Sequence, residues 1–197
     1  MNFTGERYIP NQDIDMQMTY EHTHRYEYIR KIVKNKVVLD IASGEGYGSV
    51  IIANVASSVT GIDIDPEAIQ HASVKYNGIQ NLHFECGSVT NIPLSDHSVD
   101  VIVSFETIEH IAEHEEMLSE FKRVLKDDGI LIISTPDKKI YTDESGEVNE
   151  FHVKELYKDE FYTLLNAFFK NVELCGQRFL TLSSILPLKV DNGISGK

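Results

Sequence analysis

The sequence predicts a single α/β domain, with a mostly parallel sheet of seven strands, helices on both faces and an antiparallel last strand. Two observations carry this expectation. From residue 37 onward, short apolar runs alternate with helix-like segments. Those runs are nearly continuous in hydropathy, as in strands that are covered on both faces. Length and composition agree, since the chain has 197 residues, 42% of them hydrophobic and 25% charged, which is ordinary for one globular domain.

Val37–Ile41 is strand one, and it ends at a glycine-rich stretch; Val50–Ala53 follows in helical context, and Val59–Asp63 is strand two. Asp65-Pro66-Glu67 is a strong helix start, with an N-capping Asp, Pro at the first helical position and an acid beside the positive helix end. That helix takes in Ile69, Ala72 and Tyr76 and stops at Asn77-Gly78. Leu82–Cys86 and Val99–Ser104 are strands three and four. Ile108, Ile111, Leu118, Phe121 and Leu125 share one helical face, which Gly129 closes as a C-terminal cap, and Ile130–Ser134 is strand five. Phe161, Leu164, Leu165 and Phe168 have helical spacing, giving a helix over residues 158–169. Val172–Cys175 and Phe179–Leu182 read as two late strands around Gly176-Gln177. Residues 1–36, without a strand pattern, form a cover segment to a domain of residues 37–185, and 186–197 form a frayed tail.

Charge narrows the partners. Lys and Arg number 18 against 31 Asp and Glu, a net charge of −13. Nucleic-acid binding draws on phosphate neutralisation, so this balance favours a small-molecule acceptor over a nucleic acid or an anionic membrane. The longest apolar stretches fall short of the ~20 residues of a membrane span. The first residues lack the basic start and apolar run of a signal peptide. Cys86 and Cys175 lie in apolar-rich segments and read as core thiols of a cytoplasmic protein.

Ligands bind parallel sheets outside the carboxyl ends of the strands. After strand one comes Asp40-Ile41-Ala42-Ser43-Gly44-Glu45-Gly46-Tyr47-Gly48-Ser49. Alternating glycines before a helix let the backbone pass close to a ligand, with helix N–H groups pointing at it. The spacing is not the G-x-G-x-x-G of a dinucleotide site, which disfavours an NAD enzyme. Asp63 ends strand two; with Asp65 taken as the cap, it is left to accept both hydroxyls of a ribose.

These residues resemble a known family. Val38–Gly48 is similar to the first motif of class I S-adenosylmethionine-dependent methyltransferases, and Val59–Asp63 to their second strand with its ribose-binding acid. Asn91-Ile92-Pro93-Leu94 before Val99–Ser104 resembles the motif leading into their strand four. Glu109-His110-Ile111, Leu125–Gly129 and Phe151–Glu155 resemble the ubiquinone-biosynthesis-like, small-molecule branch, and Phe3–Pro10 the start of a sugar- or glycan-associated subgroup. The resemblance covers residues 37–182. It implies a Rossmann-like fold and methyl transfer from S-adenosylmethionine, leaving S-adenosylhomocysteine, to an oxygen or nitrogen of a small acceptor such as a sugar or sugar nucleotide. It implies Asp40, Ala42, Ser43, Gly44, Gly46, Tyr47 and Gly48 at the methionine end of the cofactor, and Asp63, Ile64 and Asp65 at the ribose and adenine. Gly87, Ser88 and Val89 follow at the adenine, with Ser104 and Phe105 at the end of strand four. The family's usual Gly-Asp-Ala after strand three is replaced here by Gly87-Ser88-Val89, whose hydroxyl can accept one hydrogen bond.

Methyl transfer is an in-line displacement in which positioning supplies most of the acceleration. A hydroxyl acceptor also needs a base. The candidates are Glu106 and His110, expected at i, i+4 on the helix after strand four, and His152 beside Glu155. His22, His24 and Arg25 of the cover segment are placed to close over the cofactor. Two alternatives compete. His110-Ile111-Ala112-Glu113-His114 matches the H-x-x-E-H of zinc hydrolases, whose two histidines would share a helix face and could bind zinc; the methyl-transfer reading assigns no metal. The other alternative is a non-catalytic S-adenosylmethionine-binding subunit.

Overall fold

The computed structural model describes residues 16–180 apart from Glu147. The Phe3–Pro10 segment and the expected tail lie outside the described residues. Five parallel strands, β1 (Val37–Ile41), β2 (Ser58–Asp63), β3 (Leu82–Cys86), β4 (Val99–Phe105) and β5 (Leu125–Ser134), lie in the order β3-β2-β1-β4-β5. The order reverses between β1 and β4, so the crevice of this doubly wound sheet opens at their carboxyl ends.

Helices α1 (Met16–Val33), α2 (Tyr47–Ala53), α3 (Pro66–Lys75), α4 (His114–Val124) and α5 (Lys158–Phe168) cover the two faces. Neighbouring strand residues point to opposite faces, and here both faces are buried. Leu39, Ile41 and Ile102 pack with Met117 and Phe121 of α4 and Phe161 of α5. Val38, Val59 and Val101 pack instead with Tyr26, Ile29 and Val33 of α1 and Ile52 of α2. Each such side chain contributes roughly 1.5–3 kcal/mol by leaving water, so α1 is part of the core. α3 starts as its sequence dictates: the Asp65 carboxylate accepts from the Glu67 N–H at 2.8 Å, with Pro66 as the first helical residue.

Four expectations are corrected. The helix expected directly after β4 is broken into a 3₁₀ turn (Ile108–His110) and α4, with Ile111 extended between them. The Glu109 carbonyl accepts from Val153 N–H at 2.8 Å and Lys154 N–H at 3.0 Å, so it is engaged by a distant segment where a helix would continue. Gly129 does not cap a helix. α4 ends at Val124, and Gly129 lies in β5 next to the register irregularity between Val99 and Val101. A Cβ there would meet the Lys126 carbonyl at 2.9 Å. Val172–Cys175 forms no strand; Gln177 nearby bonds to α1, accepting from Arg25 Nε at 2.7 Å and donating to the Glu21 carbonyl at 2.9 Å. The expected Phe179–Leu182 strand runs past the described residues. Finally, Cys86 and Cys175 are exposed and unbridged; β3 is an edge strand, so the thiol at its end is not core.

Candidate functional site

The loop after β1 folds back over β2. Asp63 receives it: one carboxylate oxygen accepts from Gly44 N–H at 2.8 Å, the other from Asp65 N–H at 3.0 Å. Ser43 N–H donates to the Ile62 carbonyl at 3.0 Å. Ala42, Gly44 and Gly46 take left-handed backbone with φ of 60°, 55° and 80°, a conformation that costs a non-glycine residue about 1–2 kcal/mol. The three glycines do different work. A Cβ on Gly44 would point into open space, whereas one on Gly46 would lie 2.4 Å from the Phe84 ring and one on Gly48 2.0 Å from the Tyr26 ring. Gly46 and Gly48 therefore serve packing, and Gly44 alone leaves room for a ligand.

Asp40 does not face that room. It is fully buried and accepts from Ser49 Oγ at 2.5 Å and Tyr26 Oη at 3.2 Å. Burial pushes its carboxyl up to about 7, against the pull of the Ser49 and Tyr26 hydrogen bonds. Tyr26 and Ser49 were missed in the sequence; the only signal for Tyr26 was its place in an aromatic-rich segment. On the other side of the loop, Ile64 stands 72% exposed beside Asp63. Ser88 is engaged in a turn, sharing a hydrogen bond with Thr90 Oγ1 at 2.9 Å and accepting from Thr90 N–H at 3.2 Å. Gly87 packs against Pro93, which a Cβ would meet at 2.8 Å, and the half-buried Val89 joins the core below.

α1 walls the crevice. His22 Nδ1 lies 3.2 Å from Tyr47 Oη, and burial followed by the Arg25 charge lowers its pKa to about 4. Arg25 approaches Glu106 at 3.5 Å. His24 is exposed and lies edge-on to Tyr28 instead. Three buried polar atoms find no hydrogen-bond partner among the described residues of this region: Arg25 Nη1, Ser43 Oγ and Ser104 Oγ. Phe105 lies edge-on to Tyr26, their ring centres 5.0 Å apart.

The acceptor-side candidates also sit differently than expected. Glu106 is not on a helix; it has φ 50° and accepts from Ser134 Oγ at 2.6 Å. His110 is on the 3₁₀ turn, with Nδ1 3.0 Å from the Phe151 carbonyl. His152 lies beside it, ring centres 5.1 Å apart, and its Nδ1 is 2.5 Å from Glu155. Burial pushes Glu155 up, but hydrogen bonds from Thr142 and His152 outweigh it and hold the carboxyl below its usual range. Glu109, which the sequence reading did not select, is buried next to them and accepts from Thr135 Oγ1 at 3.0 Å. Burial, then the Glu106 charge, raises its pKa to about 8. The H-x-x-E-H reading fails on backbone: residues 111–113 are not helical, and the His114 ring is buried with Nε2 2.9 Å from the Ile108 carbonyl.

A sequence profile described as a methyltransferase domain matches residues 32–168. The chain belongs to the methyltransferase domain family. A Mycobacterium tuberculosis protein (strain H37Rv) named a probable S-adenosylmethionine-dependent methyltransferase is 35% identical over 178 residues, 89% of this chain. The chain spans 64% of that relative's length. A ubiquinone biosynthesis O-methyltransferase of Haemophilus ducreyi is 29% identical over 127 residues, covering 59% of this chain and 53% of its own. Among solved structures, Bacillus subtilis YcgJ superposes with a TM-score of 0.66 at 23% identity, over 74% of this chain and 68% of its own. The [4+2]-cyclase SpnF does so with a TM-score of 0.65 at 20% identity, over 81% and 60%; likenesses this remote show the Rossmann-like fold alone. Membership of the methyltransferase family makes S-adenosylmethionine the cofactor. Among the described residues, no helix is long and apolar enough to cross a membrane.

Proposed function

We propose that this chain transfers a methyl group from S-adenosylmethionine to a hydroxyl or amine of a small acceptor, a sugar or sugar nucleotide being the favoured class. The observation that carries the reading is the pairing of the Gly44 backbone with Asp63 across neighbouring strand ends. It holds a carboxylate beside a loop with open space. The residues suit the cofactor chemically. Ser43 Oγ and Arg25 Nη1 are buried donors in need of acceptors, as the carboxylate of an amino-acid tail provides. Asp63 is assigned to the ribose hydroxyls and the exposed Ile64 to the adenine face, with Asp65, Gly87, Ser88 and Val89 as the border of the adenine position. Gly46, Tyr47 and Gly48 shape the methionine end, and Asp40 orders the loop from below through Ser49 and Tyr26. Bound, the sulfonium supplies an electrophilic methyl.

The chain's own share is to orient the acceptor and take its proton. His152 is assigned as the base. Glu155 can only accept when ionised, so the His152 Nδ1–H donates to it; Nε2 then carries the lone pair, and the carboxylate stabilises the imidazolium that forms. His110 and Glu106 position the acceptor. The net charge of −13 and the lack of a basic stripe in the sequence favour a small acceptor over RNA or DNA.

Calorimetry tests the cofactor half. The wild-type chain is expected to bind S-adenosylhomocysteine in the micromolar range and not to bind NAD, and Asp63→Ala to weaken binding by about 1.5–3 kcal/mol. Unchanged affinity in a folded Asp63→Ala variant removes the ribose assignment. Label transfer from methyl-labelled S-adenosylmethionine to sugar nucleotides tests the acceptor half; labelled RNA in place of sugar overturns it.

A further inference from the structure

Glu109, His110 and His152 form a cluster that the methyl-transfer reading leaves partly unexplained. One ligating atom from each lies within 4.8 Å of those of the other two. Glu109 is 1% exposed; ionising a carboxyl there beside two imidazoles is costly, and a bound cation would offset that cost. An ion bound at about 2.0–2.2 Å from each donor would hold the donors roughly 3–4 Å apart, so small side-chain movements close the set.

The surroundings of the three side chains are what metal ligands have. Imidazole ligands typically donate their second ring nitrogen to a carbonyl or carboxylate, which fixes the tautomer and orients the ring. His110 does so to the Phe151 carbonyl at 3.0 Å and His152 to Glu155 at 2.5 Å. With Nδ1 the donor, Nε2 is the nitrogen with the lone pair in both neutral rings. Glu109 is oriented in turn by Thr135 Oγ1 at 3.0 Å. The backbone holds the pieces together, since the Glu109 carbonyl accepts from Val153 and Lys154 N–H at 2.8 and 3.0 Å.

We infer that Glu109, His110 and His152 form a binding site for a divalent first-row transition ion, open toward the crevice that these residues share with Ser43 and Gly44. Two imidazoles and one carboxylate suit Zn²⁺, Mn²⁺, Fe²⁺ or Co²⁺, whereas Mg²⁺ and Ca²⁺ prefer all-oxygen sets. Three protein donors leave coordination positions for a ligand, and an acceptor with a hydroxyl, or two adjacent ones, fills them. Coordination acidifies the hydroxyl. Its proton goes to solvent, the oxygen forms the bond to the methyl carbon, and the carbon–sulfur bond breaks with its electron pair left on sulfur. In that state the histidines are ligands, and the ion takes over the proton chemistry assigned above to His152. Only this role rests on the methyl-transfer reading; ion binding does not.

The test is metal titration of the whole chain after chelator treatment and dialysis. Calorimetry with ZnCl₂ and visible absorption with CoCl₂ are expected to show one saturable equivalent, and MgCl₂ none. His110→Ala and His152→Ala are expected to weaken Zn²⁺ by at least about 10–100-fold, and Glu155→Gln by about tenfold. His71→Ala, at an exposed histidine, is expected to change nothing. If the alanine variants misfold, His152→Gln and the cobalt spectrum of the wild type, which reports imidazole ligation, decide. Absence of saturable binding in the wild type, or equal affinity in the His110 and His152 variants, overturns the site. S-adenosylhomocysteine titration of the chelated protein separates the two readings: cofactor binding without metal binding sinks the ion alone, and metal binding without cofactor binding sinks methyl transfer alone.

Discussion

The two sides of the crevice are built by different means. On the cofactor side, the decisive contacts join residues close in sequence: Ser49 to Asp40, nine residues apart, and Gly44 to Asp63, 19 apart. On the acceptor side, His152 with Glu155 apart, they join residues farther apart: Glu106 to Ser134 across 28 and His110 to Phe151 across 41. The first side needs β1 and β2 paired and Tyr26 of α1 seated on Asp40; the second needs the β4 and β5 loops and the 149–156 segment docked. Damage to the first should therefore stay local unless it reaches α1, and damage to the second should appear as a loss of assembly.

The largest test of that contrast pits two glycines of one loop against each other. Gly48→Val drives a side chain into the Tyr26 ring, which cannot swing away because Asp40, Tyr47 and Phe105 hold it. Urea unfolding is expected to show a loss of about 3 kcal/mol or more, at the upper end of overpacking costs. Gly44→Ala meets no atom and carries only the left-handed backbone penalty of about 1–2 kcal/mol. Equal losses in the two variants would mean that α1 yields to intrusion and is not a rigid wall.

A second test sharpens the acceptor side. Glu155→Gln keeps the shape of the His152 partner but removes its charge, and is expected to lower turnover about 10²-fold with S-adenosylhomocysteine affinity unchanged. An unchanged urea midpoint in the variant would separate this loss from simple misfolding. A matching loss of cofactor affinity would show that the two sides are not separable.

A third test is in pH. The Asp40 carboxyl, at about 7 in the folded chain against an ordinary value of 3.8, binds its proton more tightly folded than unfolded. Its stabilising contribution is complete below about 4 and is lost as pH rises through 7. Thermal unfolding is expected to show a melting temperature that falls between pH 5 and pH 8, with a shallower fall in Asp40→Asn. In that variant Glu109, raised to about 8 for the same first cause, burial, still contributes a fall, and His22, lowered to about 4, a rise between about 4 and 6.5. An identical slope in Asp40→Asn would exonerate Asp40.

Legibility follows the same division. Strand ends, the Asp65 cap and the glycine loop are written in adjacent residues, so composition and spacing expose them. The break at Ile111 is not, because Glu109's carbonyl is taken by Val153 and Lys154, and no helical periodicity carries a contact over that distance. For the same reason Glu106 and His110 read as one helical face and turned out to be a left-handed loop residue and a 3₁₀ turn residue. Glu109 escaped notice because a buried acid announces itself only through what surrounds it. Tyr26 was hidden in an aromatic-rich segment that shows no strand pattern and reads as a cover.

The hydroxyl of Tyr26 has a consequence for where this domain can be cut. The family profile begins at residue 32, inside the last turn of α1, and a chain trimmed to that point would keep every motif by which the family is known. It would also strip the ring from Gly48, open Val38 and Ile52 to water, and leave the Asp40 carboxylate with Ser49 as its remaining side-chain partner. A chain trimmed there is therefore expected to melt lower than one that keeps α1, through the loss of a phenol that no motif contains.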